Sequence, residues 1–413
     1  MLNSKAWRML AVVAALFVLV GVLIVVVRRK SESPPAIGPE PEELARIRLL
    51  QTENGYFLLQ QAIEQLPRRP AGKNIGHAKG PVAELLHVSL EEDAPELVAV
   101  VEAMRPAVKL TRAAVRMNYL LMPIEWSALS SNPLGYGRYD SRVETILAGL
   151  FLVAIRDAKS GANTQESVQC LLDYYRLYWR CIDGLLWGAS DWYIYHKASL
   201  VIGCPPQFQD QLLPALLEFR ARWEPPKYWL DTSLRLFEAV HPAIIRRTQP
   251  RWQVISLSIR AALARPLLAR NLDTLREVSG YVMWEYRNWE KHNRRLAGAA
   301  NLPGFDVWIR QICRTSSTYI LELDGLCTVV ALEKYKRDHG NYAPALEDVV
   351  PAYLPKAPID PYSGRPLIYR READDYRLYS VGGNGQDDGG HPFAEEWSQD
   401  ILVHPDPALD RSR

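Results

Sequence analysis

The twelve residues Tyr379–Gly390 read YSVGGNGQDDGG and interrupt a chain whose other patterns are mostly helical. Five glycines in this stretch exclude an α-helix, because glycine loses more backbone entropy on folding than any other residue. The stretch is also too polar to fill a core. Asn384, Asp387 and Asp388 place several oxygen atoms close together. Two alternatives follow, a solvated turn or a loop whose oxygens bind a hard cation.

The length and the charge of the chain limit the class of protein. Its 413 residues are enough for about two or three domains with a substantial core. Hydrophobic residues make up 48% and charged residues 23%, as in ordinary folded proteins. A formal net charge of +2, without a basic stripe, argues against a protein that binds nucleic acid by neutralising phosphates. We therefore expect no nucleic-acid partner.

The five cysteines show no CxxC spacing, and their odd number excludes a complete disulfide framework. They are Cys170, Cys181, Cys204, Cys313 and Cys327. A zinc site is not expected from this spacing, and buried free thiols are the simplest interpretation. One disulfide, between Cys170 and either Cys181 or Cys204, remains an alternative.

The amino-terminal segment predicts a membrane anchor. Residues 9–27 contain neither charge nor proline, and about 20 apolar residues suffice to cross a bilayer as a helix. Basic residues flank the segment on both sides, and no small-residue cleavage site follows it, so we expect an uncleaved anchor over residues 1–30 with the lipid bilayer as its partner. The proline-rich residues 31–43 predict an extended tether. Of the flanking charges, the downstream triplet Arg28, Arg29 and Lys30 slightly favours a cytoplasmic body.

Residues 44–304 predict a body of α-helical hairpins. Apolar residues recur at helical spacing, and short glycine turns separate the segments. Ser141 and Gly161 are the expected ends of one helix, Asn163 or Thr164 caps the next, and Pro106 predicts a kink or a break in an earlier one.

Residues 305–413 predict one long helix followed by a small α+β module. Between Val307 and Asp338, apolar residues spaced by three or four form a single stripe (Tyr319, Leu323, Leu326 and Val330). After Gly340, prolines and glycines become frequent. The segments Pro366–Arg370 and Tyr376–Val381 predict a β-hairpin. The expected fold is thus mainly α, with a transmembrane helix, a helical body and a small α+β unit.

Three motifs in this module, taken together, resemble the globular domain of the major pseudopilins of type II secretion. They are ALEKYKRDHGNYA, DPYSGRPLIY and the glycine- and aspartate-rich YSVGGNGQDDGG, and the similarity covers about 85 residues. The order of anchor, helical body and module also resembles large anchored proteins of planctomycete- and verrucomicrobium-type bacteria. The segment ENGYFLLQQAIEQL at residues 53–66 is similar to the one that opens their bodies.

The resemblance implies a calcium site in the loop, and the residue types suit that ion. Calcium prefers six to eight hard oxygens. The candidate ligands are Ser380, Asn384, Asp387, Asp388 and Asp400. Asn384 replaces a carboxylate that is common in the family, and HPFAEEWSQ is inserted before Asp400. A solvated turn remains the alternative.

The functional expectation combines these observations. The anchor lacks the leader and the early glutamate of pseudopilins, so assembly into a pilus is not expected. Calcium-stabilised folding instead favours a single-pass inner-membrane protein with a periplasmic body. We expect a non-catalytic scaffold with an envelope or secretion protein as its partner. The alternative is an envelope hydrolase, one acting on carbohydrates for instance, that uses acids such as Glu125, Asp191 or Glu238 in a cleft of the body.

Overall fold

The computed structural model of the chain describes residues 41–67, 95–123, 142–161, 163–183, 194–224, 282–299, 305–390 and 400–405. This part of the chain is mainly α-helical and carries one three-stranded antiparallel sheet. The expected mainly α class is therefore confirmed. Within the described residues, no helix combines the length and the apolar character that a membrane span requires. The predicted anchor, most of the tether, and the three acids of the enzymatic alternative lie outside these residues.

Nine α-helices lie in the described part, and we number them in chain order. They are α1 Glu42–Leu49, α2 Tyr56–Glu64, α3 Pro95–Val115, α4 Arg142–Ser160, α5 Thr164–Asp183, α6 Ile194–Ile202, α7 Pro206–Ala221, α8 Met283–Ala299 and α9 Phe305–His339. A short 3-10 helix, Leu346–Val349, and three strands follow, β1 Ile368–Glu372, β2 Asp375–Ser380 and β3 Ile401–His404.

Helices α4 and α5 form the predicted hairpin at the centre of the body. Gly161 ends α4 with a φ of 67°, a left-handed conformation that favours glycine. Asn163 caps α5, because its Oδ1 accepts a hydrogen bond of 3.1 Å from the backbone N–H of Glu166. Helix α4 is buried along most of its length, and α3 packs beside it. Both helix ends therefore follow from the local sequence.

Pro106 does not break α3, which continues from Pro95 to Val115. A proline inside a helix removes one backbone hydrogen bond and costs about 3 kcal/mol. Met104, Ala107 and Val108 on both sides of Pro106 are buried in the core. Their burial offsets the cost, since each large apolar side chain contributes roughly 2 kcal/mol.

The long helix α9 joins the body to the sheet. Its predicted stripe is confirmed, since all four of its apolar side chains are at most 2% exposed. One side of α9 packs against α5, α6 and α7, and its middle contacts β3. A Cβ placed on Gly325 would lie 2.9 Å from Cγ1 of Val403. The absence of a side chain at Gly325 lets the strand approach the helix, and one continuous core includes both.

The sheet has the order β1-β2-β3, and both pairs of strands are antiparallel. The predicted hairpin is present, but Glu372 pairs with Asp375, so both of its strands extend closer to the turn than expected. The turn contains only Ala373 and Asp374, and Ala373 has a φ of 42°. At the other end of β2, Ser380 pairs with Ile401. This pairing places Asp400 beside the start of the loop that follows β2.

Candidate functional site

We name residues 381–390, which follow β2, the glycine-aspartate loop. Its backbone turns sharply, and Gly382, Gly385, Gly389 and Gly390 all have positive φ values, between 56° and 90°. Space also requires a glycine at Gly390, because a Cβ there would lie 2.7 Å from the ring of Tyr379. Four of the five glycines in this stretch are thus explained by conformation, and Gly390 also by close packing.

Asp400 is the buried carboxylate of this region. It is 7% exposed, and its Oδ2 accepts hydrogen bonds from the backbone N–H of Asp388 at 2.9 Å and of Gly390 at 2.7 Å. Burial raises the pKa of Asp400, although these two hydrogen bonds oppose the rise. Its Oδ1 is buried and has no hydrogen-bond partner among the described residues. A buried oxygen without a partner costs about 1–3 kcal/mol and is uncommon in folded proteins.

Asp387 is more exposed, and both of its carboxylate oxygens are engaged. Its Oδ1 accepts hydrogen bonds from the Tyr379 hydroxyl at 2.8 Å and from the Gly389 N–H at 3.0 Å. Its Oδ2 forms an ion pair of 2.7 Å with Arg370. Burial alone would raise the pKa of Asp387, but these contacts hold that pKa below its ordinary value. Asp387 therefore carries its negative charge in a fixed position.

Asn384 and Asp388 contact each other within the loop. The amide Nδ2 of Asn384 donates to Oδ2 of Asp388 at 2.7 Å. The Oδ1 of Asn384 accepts from the backbone N–H of Gln386 at 2.9 Å, which closes a local turn. Both residues therefore lie in the region of the predicted site, and the Asn384 oxygen is committed to the backbone.

Ser380 belongs to a neighbouring group of hydrogen bonds around Asp360. Its hydroxyl donates to Oδ1 of Asp360 at 2.7 Å. Asp360 is 1% exposed and also accepts from Ser363 Oγ and from the backbone N–H groups of Tyr362 and Val381. The hydroxyl of Ser380 is thus engaged by Asp360 and by the backbone N–H of Gly382. Sequence reasoning assigned no role to Asp360, although the quoted DPYSG motif begins with it.

Three arginines bind the oxygens of the loop. Arg287 of α8 donates to the carbonyl oxygens of Tyr362, at 3.1 Å, and of Gly383. Arg377 donates to the carbonyl oxygen of Gly389 at 3.1 Å, and Arg370 pairs with Asp387 as described above. Sequence reasoning did not identify these three arginines as contacts of the loop. Arg287 could not have been found from local patterns, because it precedes Gly383 by 96 residues. The pairing of Arg370 with the loop could have been found from the hairpin, which directs alternate side chains of β1 to one face.

The calcium site remains a prediction. The loop brings Asp387, Asp388 and Asp400 into one region through its backbone and its hydrogen bonds. Among the residues that the structure describes, no three His, Cys, Asp or Glu side chains converge closely enough to hold a metal ion. The unpartnered Oδ1 of Asp400 fits a cation, since a hard ion would satisfy it. Among the described residues, Asp388, whose backbone N–H contacts Asp400, and backbone carbonyl oxygens of the loop could complete such a site.

All five cysteines are buried free thiols. Burial raises the pKa of Cys170 to about 12 and also raises that of Cys181. The structure therefore supports the simplest interpretation of the sequence and contains none of the alternative disulfides. Glu125, Asp191 and Glu238, the acids of the enzymatic alternative, lie outside the described residues. Comparison of the chain with protein-family models, with curated proteins and with solved structures found no match.

Proposed function

We propose that the chain is a non-catalytic scaffold of the bacterial envelope, held in the inner membrane by residues 9–27 and stabilised by calcium in its glycine-aspartate loop. In this proposal the helical body lies in the periplasm and binds an envelope or secretion protein. The observation that carries the calcium site is the buried Oδ1 of Asp400, which has no partner among the described residues. The proposal also rests on the anchor pattern and on the pseudopilin-like motifs of the sequence.

The chemistry of Asp400 favours a hard cation as the missing partner. Its Oδ2 is satisfied by two backbone N–H groups, so the carboxylate is held with one oxygen still available. Calcium binds carboxylates and backbone carbonyls with flexible geometry, which a glycine-rich loop can supply. Such an ion would connect the loop to the start of β3 and would offset the negative charge of Asp388.

The scaffold part of the proposal rests on the way in which α9 connects the body to the module. Asp324 of α9 forms an ion pair with Arg220 of α7, with contacts of 2.7 Å and 3.1 Å. Arg337, near the end of α9, forms an ion pair of 2.6 Å with Asp210. The same helix packs against the sheet through Gly325. Ordering of the loop would therefore stabilise a module that shares its core with the body.

A thermal melt of the full-length protein in detergent tests the calcium site. After treatment with a chelator, the protein is melted with EDTA, with calcium and with magnesium. Calcium at about 100 times its dissociation constant stabilises a folded protein by about 2.7 kcal/mol, so we expect a higher Tm with calcium than with EDTA. An unchanged Tm for the wild-type protein would overturn the proposed calcium site.

Two substitutions make this test specific. Asp400→Asn removes the charge that carries the site, and we expect it to abolish the calcium-dependent rise in Tm. Asp374→Asn is the matched control, because Asp374 is exposed at the tip of the hairpin, away from the loop. The control must retain the wild-type response. Circular dichroism of each variant shows whether the helical fold is preserved.

The membrane topology is tested separately with reporter fusions at the carboxy terminus. Alkaline phosphatase is active only in the periplasm, and green fluorescent protein fluoresces after folding in the cytoplasm. The proposed orientation predicts an active phosphatase fusion and a dark fluorescent-protein fusion. The opposite pattern would place the body in the cytoplasm and refute this part of the proposal.

A further inference from the structure

The contact between Arg370 and Asp387 places a positive charge of the protein itself at the proposed calcium site. The Nη2 atom of Arg370 lies 2.7 Å from Oδ2 of Asp387. The guanidinium also lies over the ring of Tyr379, with 5.5 Å between Cζ and the ring centroid. Because Tyr379 donates to the other oxygen of Asp387, the three side chains fix one another.

We propose that Arg370 is a tethered cation that competes with calcium for Asp387 and so sets the calcium affinity of the loop. This inference rests on the proposed calcium site. A guanidinium and a calcium ion on the same carboxylate oxygen repel each other, since calcium requires contacts of about 2.3–2.6 Å. In the absence of the ion, Arg370 neutralises Asp387. When the ion binds, Arg370 must leave Oδ2 or must repel the ion at close range.

The position of Arg370 suits a competitor that can move aside. Its side chain is 48% exposed, so it can turn into solvent without leaving a buried charge behind. Arg287 is a different case, because it holds backbone carbonyl oxygens and is partly buried between α8 and the module. Arg377 binds the Gly389 carbonyl and pairs with Glu372. Arg287 and Arg377 brace the loop, whereas Arg370 occupies a carboxylate that the proposed ion would use.

A second feature of this region, the unsatisfied oxygen of Asp400, also points to a ligand. Asp400, in the same region, is more than nine-tenths buried, and its Oδ1 has no partner in the described part of the chain. Asp387 in the loop is thus already neutralised by a guanidinium, and Asp400 beside the loop has an oxygen without a partner among the described residues. In the proposed site, a calcium ion would satisfy Asp400 directly and would gain Asp387 only by displacing Arg370.

Calcium titration of the full-length protein in detergent, by calorimetry or by competition with a fluorescent chelator, tests this inference. Arg370→Gln removes the guanidinium and keeps a polar side chain. We expect this variant to bind calcium about tenfold more tightly than the wild-type protein, because one charge-assisted hydrogen bond no longer competes. Without calcium, the variant should melt at a lower temperature than the wild type, and calcium should reverse that difference.

Arg371→Gln is the matched control. It removes the same unit charge from the neighbouring position of β1, and successive side chains of a strand point to opposite faces. Its calcium affinity should stay within about twofold of the wild type, since a distant exposed charge is screened by solvent. A difference between the two variants therefore reports the local contact and not the net charge of the protein.

The outcomes separate this inference from the proposed function. If the wild type binds calcium and Arg370→Gln binds it no more tightly than Arg371→Gln, the competition is refuted and the calcium site stands. Weaker binding by Arg370→Gln also refutes competition, because Arg370 would then help to build the site. Binding that appears only in Arg370→Gln supports the competition, but it refutes the proposal that calcium stabilises the wild-type protein. No binding in any of the proteins overturns both proposals.

Discussion

Replacing Lys197 with methionine tests whether a buried ion pair holds the long helix α9 on the body. Glu322 of α9 has a side chain only 2% exposed, and its Oε2 lies 2.7 Å from Nζ of Lys197. The Tyr174 hydroxyl donates to Oε1 of Glu322 at 2.6 Å. These three residues belong to α9, α6 and α5, so one polar contact joins three helices inside the core.

The expected cost of Lys197→Met follows from this burial. The substitution leaves a buried carboxylate without its cation, and such losses typically destabilise a protein by about 3–5 kcal/mol. We expect about 3 kcal/mol, the lower value, because the hydrogen bond from Tyr174 remains. Adding Glu322→Gln removes the uncompensated charge and keeps an acceptor for Tyr174. The double variant should therefore lose about 2 kcal/mol less than the sum of the two single losses.

The assay is denaturant unfolding of the full-length protein in detergent, followed by circular dichroism. Arg222→Met is the control, because Arg222 and its partner Glu218 are 78% and 64% exposed, and such surface pairs contribute little. If Lys197→Met lowers the free energy of unfolding by less than about 1 kcal/mol, the reasoning is wrong, since an unpaired buried charge destabilises a protein by more than that. Additive losses in the double variant would show that the two side chains do not interact.

Three further predictions concern other contacts of the fold. Gly325→Ala should destabilise the protein by about 1–3 kcal/mol, because its Cβ would lie 2.9 Å from Val403; a thermal melt measures this, and an unchanged Tm would contradict the close packing. Asp360→Asn should lower the Tm equally with calcium and with EDTA, since the hydrogen bonds that Asp360 accepts from Ser380 and Val381 do not involve Asp387 or Asp400. Burial raises the pKa of Cys170 to about 12 and keeps its thiol protonated at neutral pH, so Ellman's reagent should label the native protein slowly and all five cysteines after unfolding.

Local patterns predicted the helices and the hairpin because their causes lie within a few residues. The end of α4 at Gly161 depends on one left-handed residue, and the cap of α5 depends on Asn163 and its neighbours. The stripe that includes Tyr319 and Leu323 repeats with the period of a helix, so its burial was readable from spacing. The glycines of the loop likewise indicated a sharply turning backbone.

Contacts between distant segments were not readable from these patterns. The hydroxyl of Ser380 could have faced the loop, but Asp360, 20 residues earlier, accepts its hydrogen bond. Pro106 indicated a kink or a break, and the burial of neighbouring side chains keeps α3 continuous. Arg287 reaches the loop only because α8 packs beside the module.

The sequence by itself determined the ends of α4 and α5 that form their hairpin, the buried stripe of α9, where the β-hairpin turns, and that oxygen-rich residues follow β2, since each depends on neighbouring residues and on the period of the backbone. Tertiary structure alone decided which oxygens are already bound, that Arg370 pairs with Asp387, and that Asp400 is buried with one oxygen unpartnered in the described part of the chain. The physical reason is that hydrogen bonds and ion pairs depend on distances of about 3 Å, and only the packed chain brings residues far apart in sequence to that distance.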